Sequence, residues 1–412
     1  MFDIETESKL FNIYITPGVI AEIAAQSKMF DRIKKVDKLE LGGTAAKQRV
    51  LIKASQSARA SSDSGYPAPK QSTPAETLIY LKRAMMFSMQ FDGFALECAL
   101  KEGAAMDPEE FEKQGLFMTV IDDLSRQLIG DGSSRLCQAS ALGSGIKILP
   151  VDSPYYAKAT KFLKPGRIID GYLVAAQEIV SGEIDTVDSD TQVTLKANAS
   201  WSNDCWIMNE KVFVATEKAG TGEAMGLLGI CSNLDPPYPN AANGLQQLPV
   251  GTYPDWKAVV KSNGGIKRPL SEDLIISAID DIELGYITAM LITQKVRRVW
   301  VAYLRNFKEF GDKTMWGGWV GIPFYYDGKE IPMVPDKFVP DGHILGIDED
   351  KLTLYVTKKN AEVTWEKQRD GSILQKVAGK NEYVAEGHIF LNMGVSVRKA
   401  FFKINDIDEP TA

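Results

Sequence analysis

Apolar positions recur along the chain in several patterns, and their order sets the expected organisation. Near the start, Val19, Ile20, Ile23, Met29, Phe30, Ile33 and Val36 fall at near-helical spacing, and Gly42-Gly43 ends the run. This stretch has too few apolar residues for a core of its own, so residues 1–45 read as an arm that lies on something else. Residues 48–53 (QRVLIK) and 77–82 (TLIYLK, running on to Phe87) read as strands. Between them lies SQSARASSDSGYPAPKQSTPAE, a Ser-, Ala- and Pro-rich connection much longer than is usual inside a compact domain. A lone two-stranded hairpin is marginal in water, so residues 46–86 are expected to project and to be stabilised by a neighbouring molecule.

The clearest helix follows. Asp107 suits the N-cap, Pro108 the first helical position, and Glu109 and Glu110 the positive end of the helix dipole. Phe111, Phe117, Ile121, Leu124 and Leu128 supply an apolar stripe, and Gly130-Asp131-Gly132 stops it. From about 146 to 223 the pattern turns to short strands at 167–169, 172–175, 192–195 and 212–215, separated by Gly, Asp and Ser turns, which suits a small barrel or sandwich. Residues 224–345 mix the two periods. Ser271 caps a helix bearing Leu274, Ile275, Ala278, Ile279 and Ile282; Ala289–Ile292 reads as a buried strand; and Val296, Val299, Trp300, Tyr303, Leu304 and Phe307 mark one face of a second helix. GIPFYYDGKEIPMV is a hairpin signal with Asp327-Gly328 at the turn. A second hairpin is expected around Asp370-Gly371, between 365–367 and 372–375, and the apolar runs from His388 to Ile404 should return to pair with earlier strands.

Composition narrows the function classes. The 412 residues are 44% hydrophobic and 25% charged, enough for more than one core. The formal net charge of −7 makes tight direct binding of nucleic acid a poor fit, because affinity for phosphate depends largely on Lys and Arg. Cys98, Cys137, Cys205 and Cys231 form no CxxC pair, so reduced, packed thiols are expected rather than a zinc site or disulfide framework. The start MFDIETESKLF has no basic-then-apolar run, and no apolar stretch reaches the roughly 18–20 residues that span a bilayer. Assembly in a reducing cytoplasm is expected.

Enzyme signals are weak. The two histidines, His343 and His388, sit in a turn and a β-region, and no GxSxG, HExxH or GxxxxGK[ST] occurs. AGTGEAMG at 219–226, after Val212–Val214, imitates a dinucleotide loop, but Met225 stands at the third-glycine position and no full crossover helix can follow. Asp185, Asp188 and Asp190 lack the glycine and terminal glutamate of a helix–loop–helix calcium site. Asp280-Asp281 and Asp348-Glu349-Asp350 read as solvated faces. No catalytic residue, cofactor or metal site is expected.

The order of these pieces resembles that of the major capsid proteins of tailed bacteriophages, which share the Hong Kong 97-type fold. LSRQLIGDGSS (124–134) looks like the end of that fold's long spine helix. LITQKVRRVWVAYL (291–304), followed by GGWVGIPFYYDGKEIPMVPD (317–336), looks like the core of its axial domain, and GHIFLNMGVSVRKAFFKINDI (387–407) like its closing strands. The resemblance covers nearly the whole chain and rests on the shared order of the runs. It implies an α+β fold with an N-terminal arm (1–45), an extended loop (46–86), a peripheral domain (87–145 and 346–412), an inserted β-rich domain (146–223) and an axial domain (224–345).

The function so implied is a virion shell subunit, assembled in the bacterial host cytoplasm as hexamers and pentamers. Its partners would be a separate scaffolding protein, a portal protein, decoration proteins and, weakly and without sequence preference, the packaged DNA; no membrane is implied. Subunit-interface candidates are Tyr66 and Lys70 in the loop and Trp316, Trp319, Tyr325 and Tyr326 in the axial domain; the last four could equally fill that domain's core. Lys70 is the only lysine near the loop tip, yet no partner acid and asparagine can be assigned, so no covalent cross-link between subunits is expected. The arm begins almost at Met1, which is why the scaffold is expected to be a separate protein. Arg297-Arg298 and Lys34-Lys35 are candidate DNA contacts, with ordinary surface charge as the alternative. Encapsulin-like compartment shells share the fold and form a second reading. A soluble β-rich hydrolase or binding protein is the third.

Overall fold

The long helix is set by its apolar stripe. The computed structural model describes residues 33–36, 45–53, 55, 57, 72–80, 84–94, 108–140, 143–173, 178–201, 205–214, 219–220, 223–236, 244–307, 314–316, 319–356, 364–368 and 373–409. In it, Pro108–Ile129 is one helix of 22 residues. Phe117, Ile121, Leu124 and Leu128 are buried along one side, joined by Val120 and Ile129. The helix ends as its sequence requires: the Gly130 N–H bonds back to the Arg126 carbonyl, and Gly132 takes a left-handed φ of 74°. Asp107 lies outside the described residues, as do most of the apolar positions of the arm. The few described arm residues differ from expectation: Lys34–Val36 is a strand, parallel to Thr353–Tyr355, rather than the tail of a helix.

The helix packs on strand Ala84–Asp92 of a six-stranded sheet. The centre of that sheet is Glu382–Val395, which pairs with Ala84–Asp92 and with Leu352–Val356. Thr364–Trp365 and Gln375–Lys376 both pair with this same long strand, at His388–Gly387 and Val384–Tyr383. This corrects the expected hairpin around Asp370-Gly371: among the described residues its two arms do not pair with each other. The long strand offers each arm a ladder in a sheet that already has a buried face, whereas a lone hairpin offers only local pairing.

A closed antiparallel barrel follows the helix. Its strands run, in order around the wall, Trp206–Asn209, Cys137–Ala139, Gly143–Asp152, Gln192–Trp201, Glu178–Ser189 and Ile168–Leu173, which closes on Trp206–Asn209. Leu149, Val151, Ile169, Ile184, Val193, Leu195, Trp201 and Ile207 are buried in it. Gly171 makes room for Trp201: a Cβ there would lie 2.3 Å from the indole ring. Cys137 and Cys205 are buried thiols of this barrel and Cys231 is one beyond it; burial pushes the Cys231 thiol up to about 12.

The remaining large element is a seven-stranded mixed sheet: Val259–Lys261, Phe402–Ile404, Ile344–Ile347, Ala289–Ile292, Lys329–Pro335, Trp319–Tyr326 and Thr314–Trp316. Ala289–Ile292 is buried on both faces. Its alternate residues serve two cores: Ala289 and Leu291 face the large core shared with the long helix, while Met290 and Ile292 face a second core. Helices Glu272–Asp280 and Gln294–Phe307 cover that second face with Ile275, Ala278, Val296 and Trp300. The Ser271 hydroxyl accepts from the Leu274 N–H, the expected cap. The Asp327-Gly328 turn is present with both residues at positive φ, 46° and 72°, which fits the twist of the flanking strands. Arg398, 1% exposed, donates to the carbonyls of Ile230, Trp256, Gly229 and Leu234 and so fastens the turn before the last strand.

Gly171→Ala is expected to force Trp201 or the barrel wall to move and to lower unfolding free energy by about 1–3 kcal/mol. Urea denaturation followed by tryptophan fluorescence measures this, and an unchanged midpoint would contradict the packing described.

Candidate assembly surfaces

The hairpin is real but rooted. Ala45–Lys53 and Thr73–Tyr80 pair antiparallel, from Ala45 opposite Tyr80 to Lys53 opposite Thr73. The Ser55 N–H bonds to the Ser72 hydroxyl at 3.1 Å, drawing the two ends of the long connection together. Because side chains alternate, one face presents Lys47, Arg49 and Glu76 to solvent, with both cations within 4 Å of the Glu76 carboxylate. The other face buries Ala46, Val50, Ala75, Thr77 and Ile79. Besides any support from a neighbouring molecule, its base is fixed within the chain. The Leu78 N–H bonds to the Gln246 carbonyl at 3.0 Å, Tyr355 donates to the Gln48 side chain at 3.3 Å, and Ile79 packs where Gly394 leaves space. Gln246 itself sits at φ 55° and accepts the Val395 N–H through its side chain. Tyr66 and Lys70 lie outside the described residues.

The four axial candidates do not form one group. Trp316 stands opposite Trp319 in the pairing of Thr314–Trp316 with Trp319–Gly321. Tyr325 and Tyr326 are successive, so they point to opposite faces of their strand. Tyr325 is half exposed, with its hydroxyl on Glu330 at 2.9 Å. Tyr326 packs against the second core and donates to Asp280. Two residues that sequence reasoning passed over, Leu284 and Tyr286, are each 55% exposed. Between them Gly285 takes φ 98°, and Tyr286 is braced by Asp350 at 3.2 Å and by the Lys329 amine 5.0 Å above its ring. The Leu-Gly-Tyr string was the available signal, but nothing in one sequence says that such a turn faces outward.

Beneath these surfaces lies the joint that orients them. Arg126, near the C-terminal end of the long helix, bonds Asp123 at 3.1 Å and Glu223, with all three side chains nearly buried. Arg167 of the barrel approaches Asp123 at 3.9 Å, and Gln127 donates to Asp123 at 2.9 Å. Burial alone would raise the Asp123 pKa, but Arg126 and Arg167 outweigh it and hold this carboxyl below its usual range; burial of Glu223 wins over Arg126 and moves it up. Asp122 faces the other way, to Lys164 of the barrel at 3.1 Å and Lys337 at 2.5 Å. A third anchor is aromatic: Tyr156 meets Phe162 edge-on, Phe162 stacks with Phe338, and the Tyr156 hydroxyl donates to the Phe338 carbonyl at 2.6 Å.

The glycine-rich stretch belongs to this joint. Among the described residues Phe213–Val214 pairs only with Ala219–Gly220, and the helix after it, Leu227–Ile230, has four residues. A Cβ on Gly226 would lie 2.3 Å from the Gln127 carbonyl oxygen, so the glycine permits close packing on the helix end. Asp188 accepts from the hydroxyls of Thr186 and Thr194, and Asp190 pairs with Lys158 at 2.9 Å. Among the described residues no His, Cys, Asp and Glu group is arranged to hold a metal ion, and no helix is long and apolar enough to cross a membrane. His388 lies 3.2 Å from Glu366. His343 is bound to the Asp341 carbonyl at 2.8 Å, and burial lowers its pKa to about 4.

No protein-family model matches the sequence, and no curated protein matches it. Solved structures do. A chain of the cyanophage A-1(L) capsid asymmetric unit aligns over 91% of this chain and 90% of its own, with 11% identity and a TM-score of 0.53. The capsid of a native GTA particle aligns over 92% and 90%, with 10% identity and a TM-score of 0.47. The encapsulin of the holo-SrpI complex from Synechococcus elongatus PCC 7942 aligns over 93% and 89%, with 9% identity and a TM-score of 0.46. The cyanophage likeness, over nearly the full length of both chains, shows that this protein has the Hong Kong 97-type capsid fold.

Two outcomes follow from the joint and the buried histidine. Arg126→Ala strands Asp123 and Glu223 without their main countercharge and is expected to cost about 3–5 kcal/mol in chemical denaturation, against less than about 1 kcal/mol for Lys337→Ala. His343 has a folded pKa of about 4 against 6.5 for the unconstrained group, so its contribution is complete above pH 6.5 and is lost as pH falls toward 4. Unfolding free energies across that window should decline by up to about 1.4 kcal/mol per pH unit, and His343→Gln should remove this part of the slope.

Proposed function

We propose that this protein is a major capsid protein, a non-enzymatic subunit that self-assembles into the icosahedral head shell around the double-stranded DNA of a tailed phage. The observation that carries this reading is the full-length correspondence with the cyanophage capsid chain. The geometry agrees with what a shell requires. Ring contacts between identical subunits need different patches that meet head to tail. The hairpin offers one such patch, with Lys47, Arg49 and Glu76 on its open face. The Leu284–Tyr286 turn and Tyr325 offer another, at the seven-stranded sheet. Many weak copies of such contacts add up over a closed shell.

In this reading the hairpin is the extended loop, and Tyr66 and Lys70, in its long connection, are interface residues. The long helix and the six-stranded sheet form the peripheral domain. The seven-stranded sheet and its two helices form the axial domain, to which Phe402–Ile404 lends a strand from the stretch 346–412 otherwise given to the peripheral domain; there Trp316, Trp319 and Tyr325 serve hexamer and pentamer contacts and Tyr326 supports them from the core side. The barrel is an insertion between the two domains. A separate scaffolding protein and a portal protein are its assembly partners, a decoration protein is an optional one, and the finished shell belongs to the virion.

Co-expression with the cognate scaffold should give uniform closed particles by negative-stain microscopy. Replacing residues 56–71 with a short glycine-serine turn should abolish them while leaving the thermal midpoint of the unassembled chain nearly unchanged. Small oligomers from the unaltered chain under these conditions would overturn the reading.

A further inference from the structure

We propose that the outward stripe of helix Gln294–Phe307 binds the phosphate backbone of duplex DNA through Arg297 and Arg298. The inference rests on the shell reading above, which supplies a polyanion, and adds which surface meets it.

The helix sequence is QKVRRVWVAYLRNF, with four basic residues and no acidic one in a chain of net charge −7. Its inward side is fixed by Val296 and Trp300 in the second core. Its outward side, Gln294, Arg297, Arg298, Val301 and Ala302, lines an open cleft of about 600 Å³. Nearby cations are neutralised inside the chain: Lys295 lies between Asp341 and Glu409 at 3.7 and 3.8 Å, and Lys337 is on Asp122. Among the described residues, Arg297 and Arg298 have no such carboxylate, and the Arg297 Nε is shielded from solvent without a hydrogen-bond partner. That atom is out of a ligand's reach, so phosphate contact falls to the outer nitrogens of the two guanidinium groups.

The chemistry of the stripe selects the ligand. Two guanidinium forks match phosphate oxygens, which they can hold by paired hydrogen bonds. An open cleft suits a polymer lying across it better than a small anion enclosed in it. Two aromatic residues of the helix are committed elsewhere: Trp300 is buried and stacks with Tyr303 at 5.2 Å. Among its described members the stripe has only Val301 and Ala302 as apolar residues, and these offer unpaired bases no aromatic face to stack on. Contact is therefore with the duplex backbone, blind to sequence. Two phosphate contacts per subunit are weak alone and gain strength through repetition around the shell.

The test uses the full chain, unassembled, and fluorescence anisotropy with a short duplex between roughly 25 and 200 mM salt. The unaltered chain should bind with a salt slope of about two, from two phosphate contacts. Arg297→Gln with Arg298→Gln should weaken binding about tenfold or more at low salt and flatten the slope, while the double lysine variant keeps most of both. Equal binding by the glutamine variant would overturn the proposal. So would binding of an oligoglutamate peptide but not the duplex, which would point to an acidic protein segment instead. Particle formation with scaffold is scored separately. Particles from the glutamine variant show that it folds and assembles; failure of the unaltered chain to form particles removes the shell reading and leaves the anisotropy result to decide the charge assignment.

Discussion

A nearly buried guanidinium governs how the parts of this chain meet. Arg126 stands near the end of the long helix and is held by Asp123 on its own helix and Glu223 on the strap that follows the barrel. Buried ion pairs add little net stability compared with well-packed apolar residues, because desolvation offsets attraction. Their value here is geometric. Once Arg126 is buried, its partners must come to it, so the strap cannot drift and the barrel must present Arg167 to the remaining side of Asp123. Met225 then lies where its N–H meets the Asn392 side chain, and the central strand of the six-stranded sheet joins the same joint.

The consequence for assembly is that the candidate contact surfaces are carried on a stiff frame. The hairpin base is bonded at Gln246 and Gln48. The axial turn is braced by Asp350 and Lys329. Each surface is therefore tied to the rest of the chain, and in the proposed shell less ordering entropy would oppose association.

Much of this was legible in one sequence where local chemistry decides the outcome. The long helix follows from Pro108, its apolar stripe and Gly130-Asp131-Gly132; the tight hairpin follows from Asp327-Gly328, whose positive φ few other pairs adopt easily. Ala289–Ile292 was legible because a short, wholly apolar run must be buried on both sides. The misses are non-local. Lys34–Val36 has near-helical neighbours in sequence, but a parallel ladder with Thr353–Tyr355 sets its conformation. Glu178–Ser189, with acidic residues facing out, hides its strand character until the barrel closes around Ile184. The partners of Arg126 lie 3 and 97 residues away, and only the nearer is visible as a helical pair. Interface candidates were the least legible, since exposure depends on which face of a strand the rest of the molecule covers.

The barrel wall also has a lesson for rebuilding the chain. Cys137–Ala139, where the chain enters, lies hydrogen-bonded beside Trp206–Asn209, where it leaves. Its entrance and exit are thus neighbours, and by connectivity alone the intervening stretch could be excised or exchanged for a foreign module with a minimal splice. Electrostatics forbids so simple a graft. Excision would take away Lys164 and Arg167 and leave Asp122 and Asp123 facing a new neighbour with their charge only partly matched, so any transplant must bring replacement cations or arrive with both aspartates neutralised.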